Sequence, residues 1–217
     1  MTRLYDVRRK IEDACERSGR DISSVTLVAA SKTVPAEVIA DTIKDGQLVF
    51  GENRVQEGKE KWPAIGEQHP DVELHLIGPL QSNKVRDAVG LFDVIQSVDR
   101  ESLCKALARE CQKQGRGPRI FVQVNIGEES QKSGVLPAQA TDLVDSCRGS
   151  YELDVAGLMC IPPAGASAEP YFRHLSTLAA DSGVSALSMG MSSDFGKAIE
   201  CGATHVRVGS AIFGART

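Results

Sequence analysis

The chain has 217 residues, 41% of them hydrophobic and 25% charged, with a formal net charge of −4, a composition that suits one globular unit with a well-buried core. The mild negative charge and the lack of a dense Lys/Arg run leave no electrostatic footprint for nucleic-acid binding. No apolar run reaches about 18 residues and the N-terminus has no apolar stretch, so neither a membrane span nor a secretory signal is expected.

The first predicted element is a helix. Leu4, Val7, Ile11 and Ala14 recur at helical spacing and Gly19 marks a stop, so residues 1–19 are expected to form a helix packed on the rest of the domain. Short apolar runs then alternate with amphipathic stretches. Strands are predicted over 25–30, 47–50, 73–77, 92–96, 119–125, 153–158, 185–188 and 205–208. Helices are predicted over 35–45, 53–62, 82–90, 100–114, 137–147, 168–182 and 192–201, with a last short turn from 210. Pro35 and Pro137 suit first helical turns. Asp99 is placed to cap the helix holding Leu103 and Leu107, which Gly115 and Gly117-Pro118 end. Eight strands separated by helices, without a linker, predict a single parallel α/β domain over 1–217, and eight is the number that closes a (β/α)8 TIM barrel. An open doubly wound sheet is the alternative, but no G-x-G-x-x-G follows the first strand.

The six cysteines, Cys15, Cys104, Cys111, Cys147, Cys160 and Cys201, are scattered, with no C-x-x-C and no nearby His pair. They read as buried, reduced thiols of a cytoplasmic protein, and no metal site is expected.

In a barrel the reactive groups gather at the C-terminal ends of the strands, and phosphates sit in the loops after strands seven and eight. Lys32 ends the run Val25-Thr-Leu-Val-Ala-Ala-Ser-Lys, and strand alternation puts Val28, Ala30 and Lys32 on one face. If that face lines the barrel, the amine reaches its mouth. Ser188-Met-Gly-Met-Ser-Ser and Val206-Arg-Val-Gly-Ser-Ala are small-residue turns after the last two strands. Ser192 and Ser193 are expected to open the seventh helix, and Gly209 and Ser210 the last, where free N–H groups and hydroxyls hold an anion. Arg207 shares parity with Gly209, so it too points inward and needs a partner: a carboxylate in the barrel, or a ligand's phosphate or ring nitrogen. An amine facing two anion-cradling turns selects an aldehyde that carries a phosphate, and pyridoxal 5′-phosphate (PLP) is the common molecule of that description. An arginine at its ring nitrogen would keep that nitrogen unprotonated and weaken the ring as an electron sink. Asn53 reads equally as an N-cap and as a contact to the ligand's hydroxyl, Glu52 as a solvated or capping carboxylate, and His75 as a satisfied core histidine.

The runs Ala29-Ala-Ser-Lys-Thr, Phe50-Gly-Glu-Asn, His75-Leu-Ile-Gly-Pro-Leu-Gln-Ser-Asn-Lys, Gly157-Leu-Met, Ser188-Met-Gly-Met-Ser-Ser-Asp-Phe and Arg207-Val-Gly-Ser-Ala-Ile-Phe-Gly, in this order across nearly the whole chain, resemble those of the pyridoxal phosphate homeostasis proteins. The resemblance implies the barrel of the alanine racemase N-terminal domain, with PLP held as a Schiff base on Lys32. It places Asn53, Ser192, Arg207, Gly209 and Ser210 on the cofactor-binding segments. It also implies a part in intracellular vitamin B6 balance, holding PLP and supplying apo-enzymes, without robust turnover. The residues agree with this. Two-base racemisation needs a second acid or base opposite the lysine, which fold relatives take from a separate β-domain; here only Phe213-Gly-Ala-Arg-Thr217 follow the eighth-strand turn, and Tyr5, Tyr151 and Tyr171 are not at predicted strand tips. A non-catalytic, monomeric, cytoplasmic PLP-binding protein is expected, a weak PLP-dependent racemase or decarboxylase being the alternative.

Overall fold

The structure, a computed structural model, describes residues 2–214; Met1 and the Ala215-Arg-Thr217 end of the expected 1–217 unit lie outside the described residues. Eight parallel strands follow one another in chain order around a closed barrel: β1 Thr26–Ala30, β2 Val49–Glu52, β3 Glu73–Leu76, β4 Val94–Val98, β5 Arg119–Val124, β6 Val155–Cys160, β7 Ala186–Ser188 and β8 His205–Val208. β8 pairs back onto β1, with Val28 opposite Arg207 and Ala29 opposite Val208. The sheet therefore has no open edge, and the doubly wound alternative is excluded. The helices are α1 Arg3–Arg17, α2 Ala36–Lys44, α3 Val55–Gln68, α4 Val85–Leu91, α5 Glu101–Gln114, α6 Ala140–Gly149, α7 Glu169–Asp181, α8 Phe195–Glu200 and α9 Ser210–Phe213.

The alternation within each strand divides the core in two. Outward residues such as Ala29, Phe50, Leu76, Ile95, Val122, Leu158 and Val206 pack under the helices in one continuous apolar layer. That layer supplies the main driving force, since each large side chain so buried is worth roughly 1.5–3 kcal/mol. Helix α1 buries Leu4, Val7, Ile11, Ala14 and Cys15, the stripe its spacing predicted, and lies against α8 and α9. Just beyond it, the Arg20 guanidinium donates to the carbonyls of Ile199 (2.9 Å) and Ala203 (2.8 Å). Both carbonyls lie at or just beyond the C-terminal end of α8, where a cation is favourable.

Five expected boundaries differ for identifiable reasons. Helix α3 continues through Pro63 to Gln68 instead of stopping at 62; buried Trp62 and Ile65 on either side of the proline hold it to the barrel despite the lost ladder bond. Strands β4 and β6 begin two residues late, because buried Phe92 and Leu153 enter the core from the preceding connections and mimic strand starts. Gln47 lies outside β2, and its amide bridges the carbonyls of Leu27 and Val49, each at 2.7 Å. Asp99 does not cap α5: Arg100 occupies that position, and Asp99 pairs with its guanidinium at 2.6 Å. Gly115, as expected, ends α5 in a left-handed conformation.

All six cysteines are free thiols, and Cys104 and Cys147 bring α5 and α6 together with their sulfurs 3.1 Å apart. Among the described residues no cluster of His, Cys, Asp or Glu has the make-up of a metal site, and no helix is long and apolar enough to cross a membrane.

The barrel interior is polar along one line. Arg207 Nη1 donates to Ser188 Oγ at 2.5 Å, and Ser188 donates to Gln96 Oε1 at 2.6 Å. The Gln96 amide then meets His75 Nδ1 at 2.7 Å, and His75 Nε2 meets Glu73 at 2.5 Å, with Arg119 on the same carboxylate at 2.7 Å. An amide nitrogen can only donate, so Nδ1 is the acceptor and the proton of neutral His75 sits on Nε2. His75 is thus the satisfied core histidine that was expected. His205, stacked edge-on to Phe121 and 6.0 Å from His75, is pushed by burial, and then by His75, from 6.5 down to about 4. The hydrogen bond from His75 holds the Glu73 carboxyl below its ordinary range.

These shifts set a pH dependence. Between 6.5 and about 4 the unfolded chain carries a proton on residue 205 that the folded chain does not, so stability is fully present above 6.5 and is lost as pH falls through this window. Urea unfolding is predicted to show a loss of up to about 3 kcal/mol across it, and His205→Gln to flatten that part of the profile. A parent profile flat from pH 6.5 to 4 contradicts the half-buried, neutral imidazole.

Candidate functional site

Parity carries three strands' worth of inward positions to the C-terminal mouth of the barrel. On β1 the inward set is Val28, Ala30 and then Lys32, two residues past the strand end. On β2 it is Gly51, paired with Ala30, and then Asn53. On β8 it is Arg207, paired with Val28, and then Gly209. A Cβ on Gly209 would lie 3.2 Å from the Ala30 carbonyl oxygen and 3.4 Å from the Ala30 Cβ, so the first residue of the last turn packs closely against the strand that carries Lys32. Lys32 is half-buried, and its amine forms no ion pair or side-chain hydrogen bond among the described residues. Asn53 is also half-buried and is not a helix cap: Arg54 occupies that position before α3.

The two small-residue turns meet. Ser210 Oγ donates to Ser192 Oγ at 3.2 Å, although one follows β8 and the other β7. Ser192 does not open a helix, contrary to the expectation from its sequence position. Asp194 accepts the Met191 N–H on its carboxylate at 2.7 Å and holds residues 191–194 in a turn, so α8 starts at Phe195. Gly190 makes that turn possible: its φ is +93°, and a Cβ there would stand 2.6 Å from the Ala198 Cβ. Gly209 is the N-cap of α9. With only four residues, α9 has a small macrodipole, so an anion at this corner is held by hydroxyls and individual backbone N–H groups.

Arg207 lies beneath the mouth, 5% exposed. Its guanidinium donates to Ser188 Oγ and, at 2.8 Å, to the Cys160 carbonyl oxygen. Burial draws its pKa down to about 10, opposed by Cys160 and Asp194, so it is a cation at neutral pH. No carboxylate of the described residues pairs with it, which rules out the internal ion pair considered from sequence. A buried positive charge with only neutral partners favours an anionic or lone-pair ligand next to it.

The environment of Glu52 differs from the sequence expectation. It is fully buried, and its Oε1 accepts from Ser31 Oγ (2.8 Å), Trp62 Nε1 (3.0 Å) and Lys61 Nζ (2.7 Å). It is neither solvated nor a cap. The signal was available in the strand parity, because Phe50 and Glu52 share the outward face, which lies under α3.

Known proteins share this sequence and fold. The family model of the alanine racemase N-terminal domain matches residues 7–217. A pyridoxal phosphate homeostasis protein of Aquifex aeolicus is 41% identical over 99% of this chain and 97% of its own length, and one of Pasteurella multocida is 37% identical over 98% and 96%. PipY of Synechococcus elongatus PCC7942, solved with PLP bound, is 37% identical with a TM-score of 0.82, covering 94% of this chain and 100% of that one. An alanine racemase of Clostridium difficile shares the fold at 13% identity, with a TM-score of 0.70 over 97% of this chain and 57% of its own.

The interior relay is testable without any ligand. Gln96→Leu leaves the buried Ser188 hydroxyl and His75 Nδ1 without their partner, at about 1–3 kcal/mol for each unsatisfied group. Urea unfolding is expected to register a loss of that order, and an unchanged midpoint contradicts the relay.

Proposed function

The chain belongs to the family of the pyridoxal phosphate homeostasis proteins, and from that premise we propose that it holds PLP as a Schiff base on Lys32 and serves the cell's PLP supply. PLP brings an aldehyde that condenses reversibly with an amine, with loss of water, a phosphate ester, and a ring nitrogen with a lone pair. The residues at the mouth fit each part. Lys32 supplies the amine, and no described side chain pairs with it. Ser192 and Ser210, with the backbone N–H groups after Gly209, bind the phosphate. Arg207, cationic and without a carboxylate, faces the cofactor from below, and Asn53 borders it from the β2 side. The observation that carries the reading is the meeting of the Ser192 and Ser210 hydroxyls at 3.2 Å, beyond the strand whose partner leads to Lys32.

The proposed role is storage and delivery rather than turnover. Amino-acid racemisation needs a second proton carrier facing the lysine, and none of the tyrosines provides it: Tyr5 is exposed on α1, Tyr151 donates to Glu101, and Tyr171 is on α7. His75 and His205 are locked below, inside the barrel. We therefore take the protein to be a monomeric, cytoplasmic holder that releases PLP to apo-enzymes.

Mixing the purified protein with PLP is expected to give a visible Schiff-base band that Lys32→Ala abolishes. A band that survives that change removes Lys32 from the chemistry. Ser210→Asp places a negative charge in the phosphate corner and is expected to weaken PLP binding by about 1.5–3 kcal/mol, the worth of a charge-assisted bond. Unchanged affinity in equilibrium titration means that the phosphate lies elsewhere. Incubation with L-alanine should leave its chirality unchanged; racemisation at many turnovers per site contradicts the storage role.

A further inference from the structure

The turn that carries Lys32 is held in an unfavourable backbone conformation. Thr33, the next residue, has φ +61°, and it is the one β-branched residue among the three described non-glycine positions with positive φ. Branching at Cβ makes this region particularly costly. The turn is closed by the Val34 N–H on the Ser31 carbonyl oxygen at 3.0 Å, and Thr33 occupies the third of its four positions, where glycine or asparagine is the usual occupant when φ is positive. The Thr33 side chain is exposed, so nothing it packs against explains the conformation.

What over-determines the turn is a single ammonium on α3. Lys61 Nζ lies 3.0 Å from the Ser31 carbonyl oxygen, 3.4 Å from the Val34 carbonyl oxygen and 2.7 Å from Glu52 Oε1. An ammonium has three hydrogens, and here they meet both ends of the turn and a fully buried carboxylate. Glu52 also accepts from the Ser31 hydroxyl, and the Ser31 N–H is tied to Gly51 at 2.9 Å. The Lys61 and Glu52 contacts are on the outward side of the sheet, under α3, and strand parity puts residue 32 on the opposite, lumen side.

We propose that Lys61 and Glu52 are positioning residues for Lys32: their buried ion pair clamps the Ser31–Val34 turn in its left-handed form and so aims the Lys32 amine into the mouth. Neither residue touches the ligand. The inference rests on Lys32 being the amine that takes up PLP. Releasing the clamp lets Thr33 relax to negative φ, and apparent affinity then falls by the fraction of chains that keep the competent turn.

The test replaces both charges at once, because removing one alone leaves the other buried and unpaired. In Lys61→Met with Glu52→Gln, the methionine keeps the apolar stem and the glutamine keeps an acceptor for Ser31 and Trp62. The apo double variant is expected to retain the parent's circular dichroism, while the Kd for PLP rises by about tenfold or more, as for a turn competent in roughly a tenth of chains. Adding Thr33→Asn, which tolerates the left-handed region, is expected to recover most of that loss; loosening elsewhere in the protein would not respond to this residue. Lys61→Gln with Glu52→Gln, which also removes both charges, is made in parallel in case the methionine variant does not fold, and should show the same loss and the same recovery. Parent-like affinity in either variant, or a loss that Thr33→Asn leaves untouched, overturns the clamp. Parent PLP binding that survives Lys32→Ala overturns the reading of the site itself, and the two failures are therefore told apart.

Discussion

The pairing of β8 with β1 is the contact on which the site depends. It joins strands from opposite ends of the chain, and its register, Val28 with Arg207 and Ala29 with Val208, decides which residues share a face at the mouth. A slip of one residue would turn Arg207 out toward the helices and Val208 into the lumen. With the observed register, the amine-bearing turn after β1 and the hydroxyl-bearing turn after β8 rise side by side. The close approach of Gly209 to Ala30 is the last step of that registration.

The lumen below imposes its own order. From Arg207 through Ser188, Gln96 and His75 to Glu73, each donor has an acceptor and each step fixes the next. Such a fully satisfied chain among buried residues is rigid, because breaking any step strands two polar groups. It also leaves the positive charge at its upper end and the negative charge at its lower end, where Arg119 meets Glu73 from the N-terminal side. The cation nearest the mouth therefore has no internal anion to neutralise it. The fold presents a buried cation beneath the mouth, the turn that carries Lys32 after β1, and paired hydroxyls after β7 and β8.

Much of this was legible in the sequence because it is periodic. Eight apolar runs at regular spacing specified the barrel, and period-two parity specified that Arg207 faces the lumen and that Gly209 comes up against Ala30. What escaped was set by contacts between elements. Glu52 looks like a solvated carboxylate until α3 brings Lys61 and Trp62 over it. Ser192 looks like a helix start until Asp194 captures the Met191 N–H and delays α8. Pro63 looks like a terminator until the burial of Trp62 and Ile65 overrides its local preference. The strain at Thr33 has no sequence signal at all, since threonine is a poor choice for that conformation and only the Lys61 contacts explain it.

The central claim is that one particular amine faces the phosphate corner at the barrel's mouth. Borohydride reduction of the PLP-loaded protein, followed by digestion and mass measurement of the peptides, tests it most directly. A single phosphopyridoxyl group is expected on the peptide containing Lys32. Labelling spread over surface lysines, or concentrated on any lysine but that one, contradicts it.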